Sequence, residues 1–194
     1  VGIAGVILGA GASVRLGQPK QLLPFQGTTL LGWAVRQAEA SSLDRVLVVV
    51  RSDEVAASLH PQRAEIVRLD GDDDRACSAS MHAGLDAAGA TDTDAGTDAI
   101  ALLLGDMPGL TAEIIDAVLD QWRAQPTPAA VTSYTDGLGH PFVFGADAFP
   151  DLRALHGDKA VWKLVDAGRA RPLPVDAPLP RDVDTWEDYR QIVT

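Results

Sequence analysis

The chain has 194 residues, the length of one domain or two small ones at most. Its 27 Asp and Glu exceed its 16 Lys and Arg, a formal charge of −11 that argues against a broad grip on a nucleic-acid backbone while leaving room for a small basic pocket. Hydrophobic residues make up 46%, enough for a substantial core, and the single cysteine, Cys77, excludes an internal disulfide and a cysteine-rich metal site.

Short apolar runs alternate with helical patterns from the start. Ile3–Leu8 reads as a strand buried on both faces and ended by Gly9, Ala10 and Gly11. No basic segment precedes this run, so it is expected to be a first strand and not a signal peptide. A helix is predicted over Leu30–Ala40, a β-branched strand over Arg45–Val50, a short helix over 54–59 and a strand over 65–69. Residues 80–88 read as helix, Ala99–Leu104 as an apolar strand and 111–124 as an amphipathic helix. The second half predicts strands at Ala129–Tyr134 and 141–144 around a turn at Asp136-Gly137-Leu138-Gly139, helices over 146–155 and 159–167, a strand over 169–175 and a closing helix over 185–193. Regular alternation implies parallel crossovers: an α/β fold with a doubly wound, mostly parallel sheet and helices on both faces, Rossmann-like. The loop 89–98 and the proline-rich stretch 172–180 are too short for domain linkers, so residues 1–194 are expected to form one domain. No apolar run approaches the roughly 20 residues of a membrane-spanning helix, and a cytoplasmic protein that binds neither membrane nor nucleic acid is the expectation.

The strongest local signal is Leu8-Gly9-Ala10-Gly11-Ala12-Ser13-Val14-Arg15-Leu16-Gly17, followed by Lys20. A glycine turn leaving the carboxyl end of a buried first strand is where α/β sheets hold phosphates, because backbone N–H groups can face the anion. The dinucleotide fingerprint fails, with Val14 where its third glycine belongs, and the P-loop fails because Gly17 precedes Gln18. What remains is a phosphate cradle followed by two cations, Arg15 and Lys20; the plainer reading is a turn with two solvated side chains. Asp106, in Gly105-Asp106-Met107-Pro108, ends the strand Ala99–Leu104 at the same rim, either as a ligand for Mg²⁺ or as a turn-forming Asp. Asp184 and Glu187 have the spacing of a helix cap, although a capping Asp can still reach a metal.

Weaker candidates follow. Ser78 and Ser80 either cap a helix or touch a ribose or base, and His140 is either a donor to substrate or structural. The acidic run Asp70 to Asp74 reads as a solvated loop and Cys77 as a small packing residue. Trp33, Trp122, Trp162 and Trp186 all fall in predicted helices and read as packing residues.

Taken together and in order, five stretches resemble the nucleotidyltransferases of molybdenum cofactor synthesis, within the MobA-like NTP transferase superfamily. They are Gly9 to Lys20 with Gln21-Leu22-Leu23-Pro24, Ser78 to Leu85, Gly105-Asp106-Met107-Pro108, Gly139-His140-Pro141 with Phe144, and Asp182-Val183-Asp184-Thr185 with Glu187-Asp188-Tyr189. The Gln-Leu-Leu-Pro and Gly-His-Pro elements are closest to the cytidylyltransferase branch. Ala10 also matches that branch, whereas Gly9 and Leu16 depart from the family pattern. The resemblance implies transfer of CMP from CTP to a molybdopterin-type phosphate with release of pyrophosphate. It implies a triphosphate held by Leu8, Gly9, Ala10, Gly11, Ala12 and Ser13, catalysis by Arg15 and Lys20, and Mg²⁺ held by Asp106 and Asp184. Ser80 and Asp106 would lie by the nucleotide and His140 by the acceptor, and a cofactor-receiving molybdoenzyme or its chaperone would be the partner.

Overall fold

The computed structural model describes residues 2–11, 15–69, 77–90, 97–157, 159 and 161–193, without the side chain of Cys77. Ala12, Ser13, the acidic run Asp70 to Asp74 and most of the loop 89–98 lie outside the described residues. The strands are β1 (Ile3–Leu8), β2 (Pro24–Phe25), β3 (Thr28–Thr29), β4 (Arg45–Val50), β5 (Glu65–Arg68), β6 (Ala99–Leu104), β7 (Ala129–Tyr134), β8 (Gly137–Gly145) and β9 (Arg171–Pro174). The helices are α1 (Leu30–Ala40), α2 (Asp53–Ser58), α3 (Cys77–Ala87), α4 (Ala112–Ala124), α5 (Phe149–Ala154), α6 (Trp162–Asp166) and α7 (Trp186–Val193).

Seven strands form one sheet in the order β5-β4-β1-β6-β8-β7-β9, with β8 antiparallel to both neighbours and the other pairings parallel. The expected mostly parallel α/β sheet is the one observed. After β1 the chain winds outward through β4 to β5, then returns to β6 on β1's other side. The switch point between β1 and β6 puts Gly9 and Gly105 side by side at the carboxyl rim, where such sheets bind ligands.

Strand alternation sorts the core into two layers. Ile3, Ile7, Val46, Val48, Val50, Ala101 and Leu103 face α1 and α4, while Ala4, Val6, Leu47, Val49, Ile100 and Leu102 face α3, α5 and α6. A third, smaller apolar cluster joins Leu16, Leu23 and Leu30 to Val183, with Tyr189 and Ile192 of α7 packed against it. Two glycines exist because a neighbour fills their Cβ position. A Cβ on Gly84 of α3 would stand 2.3 Å from Val6 Cγ1, and one on Gly105 would stand 2.4 Å from Leu31 Cδ1.

The structure corrects the hairpin. Gly137 and Gly139 lie within β8, and a two-residue turn at Thr135 and Asp136 joins it to β7. Those glycines read as turn residues but serve as space. A Cβ on Gly139 would meet Leu179 Cδ1 at 2.4 Å, because the proline-rich stretch folds back over the hairpin. That stretch is tied down by Thr135 N–H donating to Ala177 O (3.0 Å) and Leu179 N–H to Asp136 Oδ1 (2.7 Å). The cap of α7 is also corrected. Asp188 Oδ2 accepts from Thr185 N (2.7 Å), Thr185 Oγ1 (2.7 Å) and Asp184 N (3.1 Å), while Thr185 Oγ1 accepts from Asp188 N (3.2 Å). The capping box is therefore Thr185 with Asp188, not Asp184 with Glu187, and the Asp184 carboxylate is left for other work.

Gly84→Ala tests the close approach of α3 to β1. Alanine gains about 1 kcal/mol of helix propensity, but Val6 is a stiff, fully buried β-branched residue that cannot yield. Overpacking of about 1–3 kcal/mol should win, so urea unfolding should show net destabilisation. Val6→Ala should cost less in the Gly84→Ala background than in the parent protein.

Candidate active site

The rim between β1 and β6 gathers residues from three distant parts of the chain. After the glycine loop, a 3₁₀ turn at Lys20–Leu22 sends Lys20 toward the end of β6. Its Nζ lies 2.5 Å from Asp106 Oδ2 and 2.7 Å from Asp184 Oδ1. Asp184 is delivered by the segment before α7: Val183 N–H donates to Asp106 O (3.0 Å), and Val183 itself is buried in the third apolar cluster. The Thr185–Asp188 box then fixes the chain direction one residue later.

The electrostatics follow from this crowding. Burial works to lower the Lys20 ammonium, but Asp106 and Asp184 overcome it and hold the group above the ordinary lysine value. Lys20 therefore stays charged at neutral pH. Burial pushes the Asp106 carboxyl above the usual carboxylate range against the opposing pull of Lys20, with Asp182 and Asp184 adding repulsion. Two carboxylates converging on one ammonium also suit a hard divalent cation, which takes oxygen ligands and would relieve the raised Asp106. Among the described residues no group of three or more His, Cys, Asp or Glu could hold a metal. Two protein carboxylates completed by substrate phosphates is a common arrangement for Mg²⁺.

Leu8, Gly9, Ala10 and Gly11 lead to this rim, and Gly11 is exposed there. A Cβ on Gly9 would press on the Leu31 methyls (2.8 and 2.9 Å) and on Val49 O (3.0 Å), so glycine at this position matches the placement of Leu31. Gln21 was not singled out from the sequence, yet its buried Nε2 donates to Gly9 O (3.1 Å) and Gly11 O (2.8 Å). The available signal was a polar residue set between Lys20 and the apolar pair Leu22-Leu23. Arg15 is exposed in the turn after the loop.

On the opposite face of the sheet, His140 enters an apolar cavity of about 140 Å³ lined by Leu8, Ser78, Met81, Leu104, Val161 and Trp162, among others. The hairpin aims it there. Between Val131 and Thr132 the pairing shifts, so that Val131 faces Phe142 and Thr132 faces Gly139, with His140 and Pro141 bulged out of register. The bulge carbonyls are satisfied by Thr132 Oγ1 donating to Pro141 O (2.7 Å) and Tyr134 Oη donating to His140 O (2.5 Å). Burial pushes the His140 imidazole down to about 3, so it is neutral at physiological pH. Its ring sits edge-on to Phe142 at 4.8 Å, and Phe142 in turn to Trp162 at 5.2 Å. Ser80 is buried in α3, and the Ser78 hydroxyl accepts from Gly157 N (3.0 Å) instead of starting the helix as a cap. Trp33 and Trp122 pack and donate to Pro108 O and Thr127 O, as helix-packing residues should, whereas Trp162 lines the cavity and Trp186 is exposed.

Comparison with known proteins places this geometry. Over 98% of this chain and 95% of its own length, the purine catabolism protein PucB of Bacillus subtilis is 29% identical. The nicotine blue oxidoreductase of Paenarthrobacter nicotinovorans is 30% identical over 96% and 91%. The crystal structure of Rv0371c from Mycobacterium tuberculosis superposes with a TM-score of 0.86 at 38% identity, covering 100% of this chain and 99% of that one. A second Rv0371c structure is a complex with manganese (TM-score 0.83, 37% identity, 99% and 98% covered). A family profile described as the MobA-like NTP transferase domain matches residues 5–172, from β1 into β9. The chain is of nucleotidyltransferase type and belongs to the MobA-like NTP transferase domain family.

Proposed function

We propose that this protein transfers CMP from CTP to a molybdopterin-type phosphate, releasing pyrophosphate, with Mg²⁺ held by Asp106 and Asp184. The observation that carries the reading is the Lys20 ammonium seated between Asp106 and Asp184 beside the glycine loop. A binding module has little need of that charge arrangement, whereas transfer between phosphates needs it. The attacking phosphate is already anionic, so no general base is required, and positioning with charge neutralisation supplies most of the acceleration.

Each residue has a physical task. Backbone amides of the loop from Leu8 to Ser13 would hold the triphosphate. Lys20 would neutralise charge growing on the α-phosphate and the leaving pyrophosphate, with Arg15 serving the phosphates from the open side. The divalent ion, when bound, would supply further neutralisation of the phosphate oxygens. That a similar structure, Rv0371c, is a complex with manganese supports a divalent ion in the reading. Ser80 would lie by the ribose or base. The cavity beneath His140 would take the acceptor: its walls suit a flat heteroaromatic ring, and a neutral imidazole offers a hydrogen bond without an unpaired buried charge. The oxidoreductase in one relative's name is said of that protein alone, and the dinucleotide fingerprint, broken here at Val14, adds no support for it in this chain. One domain spanning 1–194 and a cytoplasmic setting complete the proposal. Among the described residues no helix is long and apolar enough to cross a membrane.

Titration of the purified chain with CTP, GTP, ATP and UTP, with and without Mg²⁺, should show Mg²⁺-dependent binding selective for CTP. Preference for GTP would move the base assignment to the guanylyl branch, and no triphosphate binding would sink the reading. Lys20→Ala should lower turnover at least about 100-fold while the protein remains folded; unchanged turnover would remove the lysine from the chemistry.

His140 has a separate, pH-based test. Its folded pKa near 3 lies below the ordinary 6.5, so the unfolded chain binds the extra proton between those values. Stability from this group is complete above pH 6.5 and drains away as pH falls toward 3. Imidazole proton resonances of His140 should therefore stay flat from pH 8 to 4.5, and a normal titration near 6.5 would refute its buried, neutral state.

A further inference from the structure

Gln21 takes no part in the charge arrangement, yet it lies against the inner wall of the glycine loop. It follows Lys20 in the same 3₁₀ turn, so one turn sends the ammonium to the carboxylates and the next side chain to the loop. Its Nε2 donates to Gly9 O at 3.1 Å and Gly11 O at 2.8 Å, and only 7% of the residue is exposed. The carboxamide therefore draws both carbonyls toward the protein interior.

A trans peptide unit is planar, with its C=O and the next residue's N–H pointing in opposite directions. Drawing Gly9 O inward turns the Ala10 N–H outward, toward the rim. The preceding amide is already engaged, since Gly9 N–H donates to Val49 O at 2.9 Å. A primary amide suits this task because its one nitrogen carries two donors and can serve both carbonyls. Glutamate would set oxygen against oxygen, and leucine would strand both carbonyls in the interior.

We infer that Gln21 is a positioning residue: by holding the Gly9 and Gly11 carbonyls it fixes the outward direction of the Ala10 amide, which would bind the triphosphate. The inference rests on the nucleotidyltransferase reading above, and the test separates the two. Parent protein, Gln21→Glu and Gln21→Leu are titrated calorimetrically with magnesium tripolyphosphate, with folding followed by circular dichroism. The expected result is tight binding by the parent and affinity at least about tenfold lower in both folded variants. Folded variants that bind as well as the parent would leave Gln21 a merely structural residue and overturn the inference, with the enzymatic reading intact. A parent protein that binds no tripolyphosphate and no nucleoside triphosphate would take down both. Should neither variant fold, ¹⁵N spectra of the parent protein decide. The Ala10 amide resonance should move on addition of tripolyphosphate, and an unmoved Ala10 amide amid other shifting resonances would overturn the inference.

Discussion

One ammonium group ties the beginning of this chain to its end. Lys20 Nζ is shared between Asp106, at the tip of β6, and Asp184, 164 residues along the sequence from the lysine. Each of the three charges would be costly to hold at a half-buried rim alone, and together they carry a net charge of −1. Much of the local architecture keeps them in reach of one another. The Val183 amide bonds to Asp106 O, the Val183 side chain packs with Leu16, Leu23 and Leu30, and the Thr185–Asp188 box sets the start of α7. A metal ion and a triphosphate add both signs of charge to this rim, so a site poised near neutrality can accept them together.

At the strand tips and in the hairpin, glycine serves this fold by absence of volume. Gly9 and Gly105 sit just past the ends of neighbouring strands over the same Leu31 side chain, and both would press on its methyl groups if they carried a Cβ. The close seating of α1 under the two strand tips thus depends on both positions. Gly9, which departs from the family pattern, likewise leaves Leu31 and Val49 O room that a Cβ would take. In the hairpin, Leu179 claims the space above Gly139, while the bulge at His140 and Pro141 turns the imidazole into the cavity.

Among the described residues up to 124, the long strands and helices were legible because their signals are local and redundant, whereas the short β2–β3 pair went unread. β1 and β6 are unbroken apolar runs, as is β4 from Val46 on, and α1 and α4 are amphipathic helices capped by Thr29 and Thr111. The hairpin was misread because turn chemistry and packing chemistry both select glycine, and nothing near Gly137 or Gly139 in sequence announces Leu179. Among the candidate site residues, Lys20 was read from its place after the glycine loop and Asp106 from its place after a strand end. Asp184 had only a cap's spacing to recommend it, and its assignment rested on family resemblance. Gln21 stood in the Gln-Leu-Leu-Pro element without a role, because hydrogen bonds to loop carbonyls leave no periodic trace.

By itself, then, the sequence determined the alternation of strands and helices, the parallel character of the sheet's first half, and a glycine loop followed by cations at a strand's carboxyl end. These are properties of neighbouring residues, written in period and spacing. Only the tertiary structure decided that Thr185, not Asp184, caps the last helix, that Asp184 therefore meets Lys20, and that a buried glutamine holds the loop's carbonyls inward. Those outcomes depend on which strand tips the crossovers bring side by side. The energy of a shared charge or a filled Cβ position exists only once they have met.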